Sequence, residues 1–375
     1  MRVLLAVPAY WPALSFGGPI WIARDLCEGL AARGHTVDVV TTSLEDLEHG
    51  TSLRTSTTEI GGVRVHYLAT PLRYRWMGLT PSLPLLLARL GRPDVGHVIG
   101  FRDPVGTTVA AWCRLRRLPY VLEPQGMFRP RLRKVRLKRA LDPLLRPLAR
   151  GAAALVATSE LERRDLLAGG LAAERITIRP NPFPPVRPGR TGLLRKRLGL
   201  DDEPLVLYVG RLGAGKGLEL LIDAVGALPD VRLALVGPAD DPAVVRRVRA
   251  AGERIHVLPP WTEERPLELY GDADVFVLAS DSERENFGVA AAEAAAAGVP
   301  LVLTDRTGIA ELARDRAALV VPPDAEAIRA AVARVLEDGE LRKRLATGAL
   351  ALAKELSAEA IVEQQERLYR SIVSA

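Results

Sequence analysis

Two stretches of the chain hold residues whose types and spacing could do chemistry. The first, VLYVGRLGAGKGL, spans Val206–Leu218. An apolar run enters a glycine-rich turn, and a helical pattern begins near Leu218. Glycines let backbone N–H groups approach an anion closely, a helix N-terminus adds partial positive charge, and Arg211 and Lys216 add full charges. That is phosphate-binding chemistry. The spacing Gly210-x4-Gly215-Lys216 imitates a P-loop, but Gly217 stands where that loop needs a Ser or Thr hydroxyl for Mg²⁺. A P-loop ATP site, a structural turn with a solvated lysine and a diphosphate site of another kind are the three readings, and the residues favour the last.

The second stretch is SDSERENFGVAAAEAA, Ser280–Ala295. It follows the apolar run Val275–Leu278 and opens an alanine-rich helix. Glu285 falls on the loop before that helix and Glu293 about two turns into it. The N–H groups of Phe287, Gly288 and Val289 belong to the first turn, where helical donors lack internal partners. A carboxylate on the loop can accept from sugar hydroxyls, and a second one two turns on can reach a ribose diol. The structural alternative makes Glu285 a cap and Glu293 a helix charge. Glu293 is flanked by Ala290–Ala292 and Ala294–Ala297, an apolar setting in which a charge is costly without partners.

The elements that must hold these residues are legible around them. The chain has 375 residues, enough for two domains, with 48% hydrophobic and 26% charged residues. Such a composition excludes disordered, collagen-like and disulfide-scaffold chains. Short apolar runs (Val3–Val7, Val37–Thr41, Val63–Leu68, Val95–Ile99, Tyr120–Leu122, Ala154–Ala157, Ile176–Ile178, then Leu205–Val209, Leu233–Val236, Ile255–Leu258, Val275–Leu278, Leu301–Leu303, Leu319–Val321) alternate with helical patterns. Runs this apolar suit strands covered on both faces by crossover helices, so the pattern predicts doubly wound α/β folding twice over. Between the halves, Arg179–Gly189 carries five prolines in eleven residues and reads as a semi-rigid extended linker. Ala358–Val373 reads as a final amphipathic helix. Cys27 and Cys113 fall in apolar helical patterns and read as buried thiols, in keeping with a reducing cytoplasm. No signal peptide opens the sequence, and no run of about 18 apolar residues crosses a membrane.

The two chemical blocks, in this order and with this separation, resemble the retaining glycosyltransferases of the GT-B fold, in particular glycosyltransferase family 4 (glycosyl transferases group 1). Tyr10–Gly18, Gln125–Met127, Ala157–Glu160, Pro180–Pro182, Ala273–Leu278 and Ala297–Pro300 fit the same pattern, so the resemblance covers nearly the whole chain. It implies two Rossmann-like doubly wound parallel-sheet domains facing a central cleft. Residues 1–185 would hold the acceptor, with a helix over about 358–375 packing back on them. Residues 190–357 would hold the nucleotide sugar. The implied activity is retaining transfer of a hexosyl or N-acetylhexosaminyl group from a nucleotide sugar, UDP by family frequency, to an acceptor hydroxyl in glycan, glycolipid or natural-product biosynthesis.

The resemblance also implies roles. Gly210, Arg211 and Lys216 would hold the donor diphosphate. Glu285, helped by main-chain groups of Asn286, Phe287 and Gly288, would contact the transferred sugar. Val289 N–H would face a phosphate, Glu293 the ribose, and Trp261 either the base or the core. Gly17 and Gly18 would let the amino-terminal loop approach the diphosphate and acceptor. Where many relatives carry a His near the sugar, the stretch Glu123–Met127 has none, and Gln125 takes the position. His97 is the strand-end alternative and reads better as a structural histidine. No metal or other cofactor is implied. Asp272-Ala-Asp274 spells a metal-binding pattern, but it precedes a buried strand and reads as structural. Two other enzyme and binding readings stay beside this one: a nucleotide-sugar 2-epimerase of the same fold and a P-loop-like ATP-binding protein. The missing His also motivates an inactive relative that only binds the nucleotide.

Positive charge is uneven. The net charge is +6, yet Arg129–Arg150 alone holds nine basic residues and one acid, Asp142, a local +8, so the remainder sums to −2. Leu137, Leu141, Leu144, Leu145 and Leu148 recur there at helical spacing, and Pro143 and Pro147 would kink or divide the helix. A solvated domain helix and a patch for anionic lipid or an anionic acceptor are the competing readings. The second would put the protein at the inner face of a cytoplasmic membrane. Nucleic acid is disfavoured because stacking aromatics and nucleic-acid motifs are absent.

Overall fold

A computed structural model of the chain describes residues 1–374 apart from 47–51, 75–76, 131–134, 240–245, 249, 251, 261–266 and 283–284. The chain forms two compact units, Met1–Pro182 with Ala358–Ala375, and Phe183–Ser357.

In the first unit the strands are β1 (Arg2–Ala6), β2 (Thr36–Thr42), β3 (Ser56–Ile60), β4 (Val63–Leu68), β5 (Leu72–Tyr74), β6 (Met77–Leu79), β7 (Val95–Ile99), β8 (Tyr120–Glu123), β9 (Ala154–Ala157) and β10 (Ile176–Ile178). The main sheet has the order β10-β9-β8-β7-β1-β2-β4-β3 and is parallel except for β3, which pairs antiparallel with β4. β5 and β6 form a separate hairpin. The central strands are buried along nearly their full length because helices cover both faces, which is why they read as apolar runs. β3 has no such signature: Ser56–Glu59 are exposed at the sheet edge.

The helix Gly18–Ala32 follows β1, and the final helix Ala358–Val373 packs on it. Their approach is close at Gly29, where an added Cβ would lie 2.5 Å from Val362 Cγ2. Cys27 and Cys113 are buried free thiols on two helices of this unit. Burial pushes the Cys113 thiol up to about 12.

Two local expectations are corrected. The stretch expected as a semi-rigid extended linker is packed over its first half: Arg179, Asn181 and Phe183 are almost completely buried, and Phe183 N–H donates to Leu356 O at 2.9 Å. Buried partners on either side of the crossover hold it, rather than proline stiffness alone. Val135–Arg150 runs as one helix with Pro143 and Pro147 inside it. Each proline removes one N–H. The last turn is tied down by side chains: Arg114 Nη1 donates to Pro147 O at 2.7 Å beside the Gly151 N–H, and the Tyr120 hydroxyl donates to Leu148 O.

The second unit has β11 (Leu205–Val209), β12 (Arg232–Val236), β13 (Ile255–Leu258), β14 (Val275–Leu278), β15 (Leu301–Thr304) and β16 (Ala318–Val321). Its sheet runs β13-β12-β11-β14-β15-β16 with every pair parallel. Asp272 and Asp274 sit just before β14 and are structural. Asp272 is fully buried and accepts from the N–H groups of Thr191, Gly192 and Leu194 at 2.7–2.8 Å. Asp274 pairs with Arg190 and Arg195 and accepts from Leu205 N–H at 2.8 Å.

Candidate functional site

In the second sheet the strand order reverses between β11 and β14. β12 and β13 lie to one side, and β15 and β16 to the other. Crossovers that leave in opposite directions open a crevice at the carboxyl ends of the strands there, the usual ligand position in doubly wound sheets. The two chemical stretches are the loops that leave these two strands.

The loop after β11 is folded by its glycines. Gly217 has φ +62° and caps the helix Leu218–Gly226; a Cβ on it would lie 1.7 Å from Ala279 O. Glycine is therefore required both for conformation and for contact with the loop after β14. Ser282 Oγ adds a bond to Gly215 O at 3.3 Å. The loop's far side is held by Gly210 N–H and Leu212 N–H, which donate to Val236 O and Pro238 O at 2.9 and 2.8 Å. The Tyr208 hydroxyl donates to Arg211 O at 3.1 Å, while the Arg211 side chain reaches outward.

The loop after β14 is held from the other side. Gly308 N–H donates to Glu285 O at 3.0 Å and Ile309 N–H to Phe287 O at 2.7 Å, so the stretch after β15 supports it as a short bridge. Phe287 is buried and meets Phe183 edge-on, with ring centroids 6.2 Å apart. Gly288, at φ +101°, caps the helix Val289–Ala296. Glu285 is therefore not the cap. Its carboxylate instead accepts from Lys216 Nζ, with the two side chains 18% and 25% exposed. The fold thus joins residues 69 positions apart into a partly open ion pair at the helix start. Asn286 and Val289 are half-buried beside it.

Glu293 is half-buried among buried alanines, and the buried Tyr270 hydroxyl donates to its Oε2 at 2.5 Å. That partner, absent from any local sequence pattern, answers the cost of a carboxylate on this helix. Trp261 lies outside the described residues, as do Glu283 and Arg284.

Gly17, Gly18 and Gln125 belong to the amino-terminal unit. Gly17, at φ +79°, is the cap of the helix that begins at Gly18. An added Cβ at Gly17 meets nothing within 4 Å, so its demand is conformational. Gln125 stands just past β8 with φ +53°, a left-handed conformation uncommon for a side-chain-bearing residue. Its neighbours hold it there. Gln125 Nε2 donates to Glu123 Oε1 and, at 3.3 Å, to Asn181 Oδ1, while Glu162 accepts from Gly126 N–H at 2.5 Å and from Thr158 N–H at 2.9 Å.

Glu123 is the centre of a wholly buried network. His97 Nε2 is 3.2 Å from its Oε2, Arg179 pairs with the same oxygen, and His97 Nδ1 lies 2.6 Å from the Tyr369 hydroxyl on the final helix. Burial favours the neutral imidazole and holds the His97 pKa below its usual value. Burial alone would raise the Glu123 carboxyl, but the Arg179 charge and the His97 contact outweigh it and hold the carboxyl down at about 2. His97 is thus a partnered structural histidine. Reading the sequence does not single out Glu123, Glu162, Arg179, Asn181 or Tyr369. The one available signal is that Glu123 and Arg179 are opposite charges placed at the end of, or just after, apolar strands.

Two family descriptions match the chain: "Glycosyl transferases group 1" over residues 192–351 and "Glycosyl transferase 4-like domain" over residues 17–182. The D-inositol 3-phosphate glycosyltransferase of Xylanimonas cellulosilytica is 36% identical over 222 residues, 54% of this chain and 52% of that protein. The alpha-D-kanosaminyltransferase of Streptomyces kanamyceticus is 35% identical over 195 residues, 49% of this chain and 50% of that protein. The match thus spans about half the length of these curated relatives. Among solved structures, sucrose-phosphate synthase from Thermosynechococcus elongatus superposes with a TM-score of 0.79 at 23% identity, over 100% of this chain and 99% of that one. Anabaena HepE, solved in complex with UDP and glucose, superposes with a TM-score of 0.76 at 20% identity, over 99% of this chain and 100% of that one. The likeness to these two structures establishes the fold.

Proposed function

Since the chain belongs to the group 1 glycosyl transferases of glycosyltransferase family 4 and has their GT-B fold, we propose that it transfers a hexosyl group from a nucleotide sugar, UDP-linked, to an acceptor hydroxyl with retention of anomeric configuration. The observation that carries this reading is the Lys216–Glu285 pair at the β11/β14 switch point. Anabaena HepE has been solved with UDP and glucose and with UDP-glucose, which supports the choice of donor.

In this proposal the pair separates around the donor. Lys216 and Arg211 turn to the diphosphate, and the Glu285 carboxylate accepts from sugar hydroxyls. Negative charge develops on the phosphate oxygens as the glycosidic bond breaks. Those two cations, once turned to the donor, and the N-terminus of the helix Val289–Ala296 stabilise that charge. The leaving diphosphate takes the acceptor proton on the face where the new bond forms, which gives retention. Glu293 accepts from the ribose, its other side steadied by Tyr270. Gln125 and the Gly17–Gly18 turn serve the acceptor side.

A panel of UDP-, GDP-, ADP- and TDP-sugars read by nucleotide release, with the product's anomeric configuration determined, tests the reading. UDP release with a retained anomer is expected, and it disappears in Glu285→Ala while the fold persists. Normal turnover by Glu285→Ala, or a free epimerised sugar in place of a glycosylated acceptor, would sink it.

A further inference from the structure

The helix Val135–Arg150 buries only part of the face that its leucines mark: Leu145 and Leu148 pack against the core. Asp142, Leu145 and Ala149 point inward, whereas Leu137, Leu141 and Leu144 are 52%, 41% and 74% exposed. Spaced i, i+4 and i+7, these three form one stripe. Asp142 belongs inside because Arg102 holds its Oδ1 from Nε at 2.9 Å. The helix's sole acid is thereby almost wholly buried. Arg136, Arg139 and Arg150 are exposed on the remaining outward face.

A second segment extends this surface. The helix Pro104–Leu115 ends in Arg114 and Leu115 and is followed by Arg116 and Arg117, all exposed, with Leu115 at 83%. The Arg114 bond to Pro147 O fixes this end beside the carboxyl-terminal turn of the leucine-bearing helix. On the opposite flank a cavity of about 470 Å³ is lined by Arg129, Arg139 and Arg146 together with Phe128, Pro143 and Asp142, whose carboxylate is 3.8 Å from Arg146 and also bound by Arg102. Arg129 is tied to Asp165 at 3.0 Å and half exposed.

From this arrangement we infer that the face docks on a bilayer carrying anionic phospholipid, with a lipid phosphate received at the arginine-lined cavity. The leucines on one flank and the arginines on the other border the same outward side of the helix, and an anionic bilayer is the partner that satisfies both at once. The apolar side chains enter the acyl boundary while guanidinium groups stay at the phosphates. A nucleic acid would use the arginines and leave the leucines in water. Docking of this kind is independent of the transfer reaction.

Flotation of the full chain with vesicles of phosphatidylcholine mixed with phosphatidylglycerol, beside phosphatidylcholine alone, tests it at low and high salt. Retention is expected on the anionic vesicles at low salt only. Leu137→Ser/Leu141→Ser/Leu144→Ser should weaken partitioning on the order of tenfold or more, since exposed leucines contribute through buried apolar area. Arg139→Ser/Arg146→Ser should weaken it about fivefold per arginine. Both variants change exposed or half-buried positions, so their melting temperatures should match the parent. No retention at low salt overturns the inference. Undiminished retention by the leucine variant overturns it too, because the charge alone would then suffice. A concentration-dependent dimer abolished by the leucine variant, without vesicle binding, would assign the face to a second copy.

Discussion

Two charged clusters stand at the carboxyl ends of parallel strands, one in each unit, and they differ in what their charges still have to meet. In the amino-terminal unit, His97, Glu123, Arg179 and Tyr369 are buried and already joined to one another. In the carboxyl-terminal unit, Lys216 and Glu285 pair at a partly open position between two glycine-shaped loops. A closed network of paired charges offers a ligand nothing without first breaking itself. An open pair can exchange its partner for a phosphate on one side and hydroxyls on the other. The first arrangement therefore supports structure and orients Gln125, and the second is suited to binding.

The largest test of this contrast is Glu123→Ala. It leaves Arg179 buried without its counter-charge, and breaking such a pair costs about 3–5 kcal/mol. Chemical denaturation should show that loss, whereas Glu285→Ala, at a partly open site, should leave unfolding nearly unchanged. Equal losses for the two variants would erase the distinction.

Next in size is Lys216→Ala. Removing a fixed donor aimed at developing charge typically costs 10²–10³-fold in kcat, about 2.7–4 kcal/mol. Nucleotide release should fall by roughly that factor with little change in melting temperature. An unimpaired rate would place the diphosphate elsewhere.

A smaller effect concerns pH. Glu123 titrates at about 2 in the folded chain against an ordinary 4.5. A depressed carboxyl contributes stability above its unfolded value, and that contribution is lost as pH falls from 4.5 towards 2. His97 is held neutral below its usual 6.5, so acid favours the unfolded chain from about that pH downward. Both groups act in the same direction, each with a limiting slope of about 1.4 kcal/mol per pH unit. Urea midpoints should fall below pH 6.5 and fall faster below 4.5, and Glu123→Gln should flatten the lower part. A flat profile down to pH 3 would show that the network does not carry the coupling.

The same contrast explains what could be read from the sequence. β11, β14 and their loops were legible because the pattern is local: an apolar run, then glycines or a carboxylate, then a helix. The strands buried on both faces were legible for the same reason. β3 was not, because Ser56–Glu59 lie exposed at an edge and carry no alternation. The buried network was not, because Glu123 and Arg179 are 56 residues apart and His97 and Tyr369 are 272 apart. Only the order of β7 to β10 and the return of the final helix bring them together. In Val135–Arg150 the spacing of leucines foretold a helix but not its orientation. Arg102 settles that by drawing Asp142 inward and leaving Leu137, Leu141 and Leu144 outside.

The proposed donor site is tested most directly by the change in thermal stability on adding UDP, measured in parallel for the parent chain and Lys216→Ala. At a hundred times its Kd, a ligand adds about 2.7 kcal/mol to the parent. At the same UDP concentration, most of that gain should vanish in Lys216→Ala. Stabilisation by ATP–Mg²⁺ with none from UDP, or an undiminished UDP effect in Lys216→Ala, would contradict the assignment of this open pair to a nucleotide-sugar diphosphate.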